Sequence, residues 1–485
     1  MIRPTISEAM SFVKDNTVIP ISIELFSDIK TPIEVLKALK EKNLQCYLLE
    51  SVEGGEKWGR YSFLGFSPTL NIKCQNGVVD ISGEKTIKTD DPCQVLRDIL
   101  SEYKSPKLDF LPTFTGGFIG YISYDFIKYS EKSLKLENNN SEDFDDLNLL
   151  LFDKIIAFDH LRQKIIIIVN IKTDDLEKNY NEGVQTLRKI ESLIKSEKTI
   201  KKWGAKLLSD FRPLFTKEEY CDIVKKVKHH IYEGDIFQAV IANRMQADFE
   251  GDLLSVYRVL RTINPSAYMF YIDFGQMQLA GASPETLVSL KNNTLSTFPI
   301  AGTCPRGKNE AEDLILTTAL LKDEKELAEH NMLVDLGRND LGKISEFGSV
   351  KVEEYMEVLK LSHVSHISST VTGQLRKGLD QFDAISAVLP AGTLSGPPKI
   401  RPCEIINNLE GEKRGVYGGA IGYIDFTGNM DLCIAIRMAV KKNNKVYVSA
   451  GAGIVADSIP ENEYNECIHK SKAMMEALKR SQEVE

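Results

Sequence analysis

The sequence predicts a mixed α/β protein with more than one domain, and three observations carry that reading. Apolar runs of strand length, such as KIIIIVNI at 164–171, recur along the chain and are too short to span a bilayer. Helical patterns with recognisable starts alternate with them, as where Thr216 and Glu219 of TKEE give a capping box. The 485 residues, 42% of them hydrophobic, supply enough apolar surface for large cores. A net charge of −9 with no Lys/Arg-rich run argues against a nucleic-acid partner. The start MIRPTISEAM has no secretory apolar core and too little Arg and Ser for a transit peptide, so a cytoplasmic protein without membrane attachment is expected. Eight scattered cysteines without a C-x-x-C pair fit a reducing compartment and no zinc site.

Residues 1–200 read as a strand-rich first domain. YSFLGFSPTLNIKC (61–74) and IIAFDHLRQKIIIIVNI (155–171) are expected as hairpin strands, ENNNSEDFDD (137–146) as an acidic loop, and 174–195 as a polar amphipathic helix. The charged KSEKTIKKWG (195–204) marks the boundary, and a second domain at 212–485 follows with its fresh helix start at Thr216. An internal echo, GGFIGYIS (116–123) and GGAIGYID (418–425), reads as two strands where backbones approach closely, since no fixed period follows.

Six stretches carry the chemistry. In SAGAGIVADSIPENEYNECIHK (449–470) the small residues Gly451, Ala452 and Gly453 lead to Ser458 and Glu461, a capping-box spacing with Pro460 suited to a first helical turn. Glu463, Glu466 and Lys470 then share one stripe of that helix. In LKDEKELAEHNMLVDLGRNDLGKI (321–344), Glu326 and Glu329 form a second acid pair one turn apart. Each pair alone reads as a solvated face. Together, two helices each offering two acids could face each other across one Mg²⁺, a hard ion that takes carboxylates, water and ligand oxygens. PIAGTCPRG (299–307) and PAGTLSGPPKIRPCEII (390–406) each hold an A-G-T turn suited to an anion, and Lys399 adds a donor to the second. His366, in HVSHISSTVTG (363–373), reads alone as a structural strand histidine. Arg437, in CIAIRMAV (433–440), sits in an apolar strand where a buried guanidinium needs an anionic partner.

Taken together these stretches resemble the chorismate-utilising enzymes, and among them the anthranilate synthase component I group, over nearly the whole chain. The likeness is strongest across 216–475 and recognisable at LLESVEG (48–54), RYSFLGFSP (60–68) and GGFIGYISYD (116–125). It implies an α/β (α+β) chorismate-binding fold of large antiparallel sheets with external helices, and an N-terminal domain packed on it. It implies Mg²⁺ held directly by Glu329 and Glu466, with Glu326 and Glu463 supporting through water, against the ring carboxylate of chorismate. Arg437, Tyr417 and the backbone at Gly453, reached through Gly451 and Ala452, look like the site of the enolpyruvyl carboxylate. Gly302, Thr303, Thr393 and Lys470 would complete the anion cradle. Glu285, in GASPETL (281–287), occupies the position of the acid that protonates the departing C4 hydroxyl, and His366 that of proton handling in the later expulsion of pyruvate. A carboxyl in that acid role needs its pKa raised by burial; without the resemblance, Ser-Pro-Glu reads as a turn and a helix cap.

Two positions bear on the branch within this group. Relatives that use water carry a lysine where this chain has Gln238, in GDIFQAV (234–240), and aminodeoxychorismate synthases carry a nucleophilic lysine where this chain has Ala301. With both absent, ammonia is the expected nucleophile and anthranilate the expected product, the first step of tryptophan biosynthesis. Aminodeoxychorismate synthase component I and a non-catalytic regulatory homologue remain the alternatives. No G-x-C-x-G nucleophile elbow with a partner histidine is apparent, so ammonia is expected from a separate glutamine amidotransferase subunit in a heterotetramer. Tryptophan is the implied feedback inhibitor, at Glu50, Ser51, Pro265, Ser266, Ala267, Tyr268, Met269 and Cys433, with Ala267 standing where relatives carry proline.

Overall fold

A computed structural model describes residues 1–42, 45–51, 59–136, 138–196, 203–360 and 364–483. Most of the boundary stretch 195–204, and the end of LLESVEG, lie outside the described residues. Period-2 alternation decides which way each strand faces. In the strand Lys445–Ile454, Val446 and Val448 enter one core while Tyr447 enters another. In Gly117–Ile122, Ile119 and Tyr121 join that same inner core, and Phe118 and Ile122 turn outward.

The strands so patterned form two large sheets, of 13 and 12 strands among the described residues, and their ladders are antiparallel. The inner core between the sheets is aromatic and aliphatic, with Tyr47, Ile119, Phe152, Phe270 and Tyr423 among its members. Helices cover the outer faces. Pro32–Lys40, Leu176–Lys195, Leu253–Ile263 and Pro460–Arg480 pack on the first sheet, and Pro92–Ser101, Glu324–Gly342 and Gln381–Val388 on the second. Each large apolar side chain so buried contributes about 1.5–3 kcal/mol. This is the expected α/β architecture with external helices.

Both sheets draw strands from either side of residue 200. Cys46–Glu50 pairs with Tyr268–Asp273, and Gly117–Ile122 pairs with Ala420–Asp425. The second pairing joins the two echoed segments, with Gly120 opposite Gly422. A Cβ on Gly117 would lie 2.0 Å from the Ile424 carbonyl, and one on Gly422 2.0 Å from that of Asp431. The echo is therefore a pair of neighbouring strands that needs glycine for backbone approach.

Local signals behave unevenly. The 155–171 hairpin forms with Asp159 opposite Lys164, Asp175 caps the helix Leu176–Lys195, and the Thr216–Glu219 capping box closes as expected. The 61–74 segment is not a hairpin: Tyr61–Phe66 joins the first sheet and Leu70–Gln75 the second, with Ser67 at φ 51 turning the chain between them. The capping box at Ser458 is also absent. Pro460 does begin the helix, but Ile459 stands at its N-cap and the Ser458 hydroxyl accepts from Val455 N at 3.1 Å. All eight cysteines are buried and unpaired. Among the described residues no helix is long and apolar enough to cross a membrane.

Candidate functional site

The candidate site lies where two neighbouring strand pairs leave one sheet for the other. Met277–Ser283 belongs to the first sheet and Thr286–Lys291 to the second, so Pro284 and Glu285 form the crossing. Met430–Ile434 and Met438–Lys442 make the reverse crossing through Ala435–Arg437. The two crossings are stitched together: Ile434 N donates to Glu285 O at 3.0 Å and Ala282 N to Arg437 O at 3.1 Å. Neither residue has its expected setting. Glu285 leads into a strand rather than capping a helix. Arg437 lies in a sheet-switching turn rather than inside a strand, at φ 53, a left-handed conformation sparsely populated by long side chains. Both side chains escape the ladders and face the same space.

Glu285 is half-buried, and Thr393 Oγ1 donates to its Oε1 at 3.0 Å. Burial pushes the carboxyl up to about 7, against the Thr393 hydrogen bond and the charges of Lys470 and Arg437. Arg437 Nη1 donates to the Lys470 carbonyl at 2.7 Å. Burial pulls its pKa down, opposed by Tyr417, Glu466 and Glu285. Acid and cations therefore share one field.

The small-residue strand lets this group close. Gly451, Ala452 and Gly453 lie opposite Ala242, Ile241 and Val240. A Cβ on Gly453 would meet Gln238 Nε2 at 2.3 Å, and one on Gly451 would meet the Tyr417 hydroxyl at 3.1 Å. Lys470 Nζ donates to Gly451 O at 3.0 Å and pairs with Glu466 at 2.5 Å. Structure thus brings Glu285, Thr393, Gln238, Tyr417, Arg437, Gly451, Gly453, Glu466 and Lys470 into one neighbourhood.

A second cluster forms around Gly302, whose φ of +69 sits at a bulge between Ala301 and Thr303. His366 lies opposite Thr303, with its Nδ1 2.9 Å from Gly302 O and 3.1 Å from Thr303 Oγ1. A carbonyl only accepts, so the neutral ring carries its proton on Nδ1 and leaves Nε2 as the base. A Cβ on Gly302 would meet Glu326 Oε2 at 3.2 Å, which places the acid helix over this bulge.

Burial raises the Glu326 carboxyl, with Glu329 and Asp323 adding repulsion. Burial likewise raises Glu463, with Glu466 adding to it, while Ser458, Lys470 and Lys325 oppose the shift. Lys325 belongs to the helix Glu324–Gly342, so its reach to Glu463 puts the two acid helices within each other's field. Among the described residues, no group of three or more His, Cys, Asp or Glu side chains converges as a metal site. The acid pairs are therefore separate here and not gathered into one cage, as the sequence pattern suggested. Their chemistry suits a hard divalent cation: oxygen donors only, self-repelling pairs, and no ion pair to Glu326 or Glu329 among the described residues.

Lys399 does not serve the anion cradle. Its ammonium donates to Asp340 Oδ2 at 2.7 Å and to Val388 O at 2.9 Å. Glu285 and Thr393 line a cavity whose far wall is Leu333, Leu336 and Gly337 of the acid helix. Sequence reasoning missed the buried pair Glu410 and Arg414 behind the site, because charges four apart read as a surface pair. It also missed His330, fully buried with Nε2 2.6 Å from Ser369 Oγ.

The expected effector region adjoins the seam between chain halves. Glu50 pairs across from Met269. Its carboxylate accepts from Tyr257 Oη at 2.6 Å and Ser62 Oγ at 3.2 Å and meets Arg261 Nε at 3.0 Å. Tyr268 Oη donates to Asp431 at 2.8 Å, Cys433 lies opposite Thr286, and Ser266 is buried. Pro265, Ala267 and Ser51 lie at the ends of these same segments.

The chain matches the chorismate binding enzyme family over residues 44–476. It is 42% identical to anthranilate synthase component 1 of Acetivibrio thermocellus, over 100% of both chains. To that of Aquifex aeolicus it is also 42% identical, over 99% of this chain and 98% of the relative. Among solved structures it is similar to anthranilate synthase component I from Streptococcus pneumoniae TIGR4, with TM-score 0.77 and 40% identity over 93% of this chain and 98% of the other. The menaquinone-specific isochorismate synthase of Escherichia coli shares the fold, with TM-score 0.72 at 18% identity over 98% of each chain.

Proposed function

The chain belongs to the chorismate-binding enzymes, and on that premise we propose that it is the large subunit of an anthranilate synthase, converting chorismate and ammonia to anthranilate and pyruvate. The observation that carries the reading is the stitched pair of crossings, which sets a carboxyl pushed up to about 7 beside two cations, with Gln238 and Ala301 where a lysine would direct other chemistry.

Arg437, Lys470 and Tyr417 receive the substrate's carboxylates, a local positive field inside a chain of net charge −9. Glu285, protonated near neutral pH, gives its proton to the C4 oxygen as the C–O bond breaks and ammonia bonds to C2. Thr393 holds that carboxyl in place. Neither Gln238 nor Ala301 competes as a base or nucleophile. In the second step the proton on C2 leaves to His366 Nε2 as the enolpyruvyl C–O bond opens, and aromatisation of the ring drives release of pyruvate. Glu329 and Glu466 would hold Mg²⁺ directly, with Glu326 and Glu463 through water, and the ion would neutralise the ring carboxylate when bound.

Ammonia comes from a separate glutamine amidotransferase subunit, in a heterotetramer. Tryptophan inhibits at the seam around Glu50, Ser51, Pro265, Ser266, Ala267, Tyr268, Met269 and Cys433, where the 1–200 and 212–485 portions meet. The setting is the cytoplasm. Incubation of the single chain with chorismate, Mg²⁺ and ammonium salt should yield anthranilate fluorescence, and glutamine in place of ammonium should yield none. Accumulation of aminodeoxychorismate without anthranilate would instead establish the alternative branch.

A further inference from the structure

We infer that Arg414, paired with Glu410, is a positioning residue that fixes the acid-bearing turn, the glutamine position and the carboxylate pocket relative to one another. Only its turnover consequence rests on the reaction proposed above.

The sequence E-G-E-K-R-G builds the device. Helix Ile400–Glu410 ends at Gly411, whose left-handed φ of 67 turns the chain back, so that Arg414 meets the last helical residue. Arg414 Nε donates to Glu410 Oε2 at 2.8 Å and Nη2 to Oε1 at 2.6 Å, a forked pair with side chains 3% and 5% exposed. The remaining donors reach outward: Nη1 to Leu394 O at 2.7 Å and Nη2 to Val240 O at 2.6 Å. Glu410 Oε1 also accepts from Ala242 N at 2.8 Å. The guanidinium carbon lies 4.4 Å from the Tyr124 ring centre and 5.9 Å from that of Tyr417.

Each anchor adjoins a group in the site. Leu394 follows Thr393, the donor to Glu285. Val240 lies two residues after Gln238 and opposite Gly453. Tyr417 is three residues along from Arg414 itself. The turn and the strand are joined directly at one further point, Val240 N to Ser395 O at 2.9 Å. A buried ion pair is a weak source of stability, since well-packed apolar residues often serve as well. What the pair supplies is direction: a planar guanidinium offers fixed, diverging donors, which a lysine ammonium on a flexible stem cannot reproduce.

Arg414→Lys keeps the charge and loses the fork. Hydrogen exchange followed by mass spectrometry should quicken by tenfold or more at 391–396 and 239–242, with the remote strand Lys164–Lys172 unchanged. Chorismate turnover should fall about 100-fold, mostly in kcat, as expected when reacting groups are misplaced by about an ångström. In a Thr393→Val background the further loss should be clearly smaller than in wild type, because the placement of Glu285 is one contribution both residues share; a merely structural role would give losses that multiply. If Arg414→Lys does not fold, the paired replacement Arg414→Met with Glu410→Leu, which strands neither charge, should show the same exchange and turnover changes. Unchanged exchange in the two named segments, or multiplying losses, would overturn the assignment. If the wild-type chain fails to consume chorismate, the reaction reading falls while exchange still decides the clamp.

Discussion

Replacing Glu285 by glutamine separates what its proton does for chemistry from what its burial does to the fold. The folded carboxyl titrates at about 7 against an ordinary value of 4.5, mainly because burial strips water from the charged form. Stability is therefore whole below pH 4.5 and is lost as pH rises through 7, where the carboxylate must ionise in a place that disfavours charge. At 1.36 kcal/mol per pKa unit the loss is at most about 3 kcal/mol, and partial solvent access brings it to about 1–3 kcal/mol. Glutamine carries no such charge and can still accept from Thr393. With an unfolding entropy of roughly 2.1 cal/mol/K per residue, a chain of 485 residues has about 1 kcal/mol/K. Glu285→Gln should therefore melt about 1–3 °C above wild type at pH 8.5, and within about 1 °C of it at pH 5. Its chorismate consumption should meanwhile fall by about 10²–10⁴-fold, the usual worth of a general acid. For wild type, consumption at fixed free ammonia should decline as pH rises through about 7. Scanning calorimetry at the two pH values and absorbance of chorismate are the assays. A melting shift equal at both pH values, together with a wild-type rate flat through pH 7, would refute the assignment of a buried acid.

Glu329→Gln and Glu466→Gln should each abolish Mg²⁺-dependent turnover in a folded chain, whereas Glu326→Gln and Glu463→Gln should lose about 10–100-fold; four equal losses would show that the division between direct and water-mediated ligands is wrong. His366→Met should still consume chorismate but accumulate the aminated, non-aromatic intermediate, detectable by chromatography with mass detection. Complete loss of consumption would remove His366 from the second step. Gly453→Ala would place a methyl 2.3 Å from Gln238 Nε2, the far end of a flexible side chain that can swing aside, so the fold should hold while the KM for chorismate rises about tenfold as that amide leaves its place beside the pocket. An unchanged KM would place Gly453 outside the carboxylate pocket.

What the sequence made legible was local. The 155–171 hairpin, the helix after Asp175 and the Thr216 cap each depend on residues within a few positions, and each appears where its pattern lies. Sheet-switching left no such mark. Ser-Pro-Glu carries turn residues that suit a helix cap as well as a crossing, and in CIAIRMAV the run of apolar residues hides the break at Arg437, where no glycine or proline announces a left-handed backbone. Lys399 looked like a free donor because its partner Asp340 lies far back in the sequence, and Glu410–Arg414 drew no reading at all because their burial depends on what folds over them. The same limit governs the acid stripes. Each pair was readable on its own helix, as i,i+3 geometry requires. The distance between helices is a tertiary quantity, and here charge itself works on it. Burial raises Glu326 and Glu463, with Glu329 and Glu466 respectively adding to it, and bringing the pairs together multiplies like-charge contacts. Lys325 reaching Glu463 and Lys470 holding Glu466 offset part of that repulsion from either side. Lys325 and Lys470 thus bear on these carboxylates through charge, which neither the periodicity of the helices nor the packing beneath them encodes.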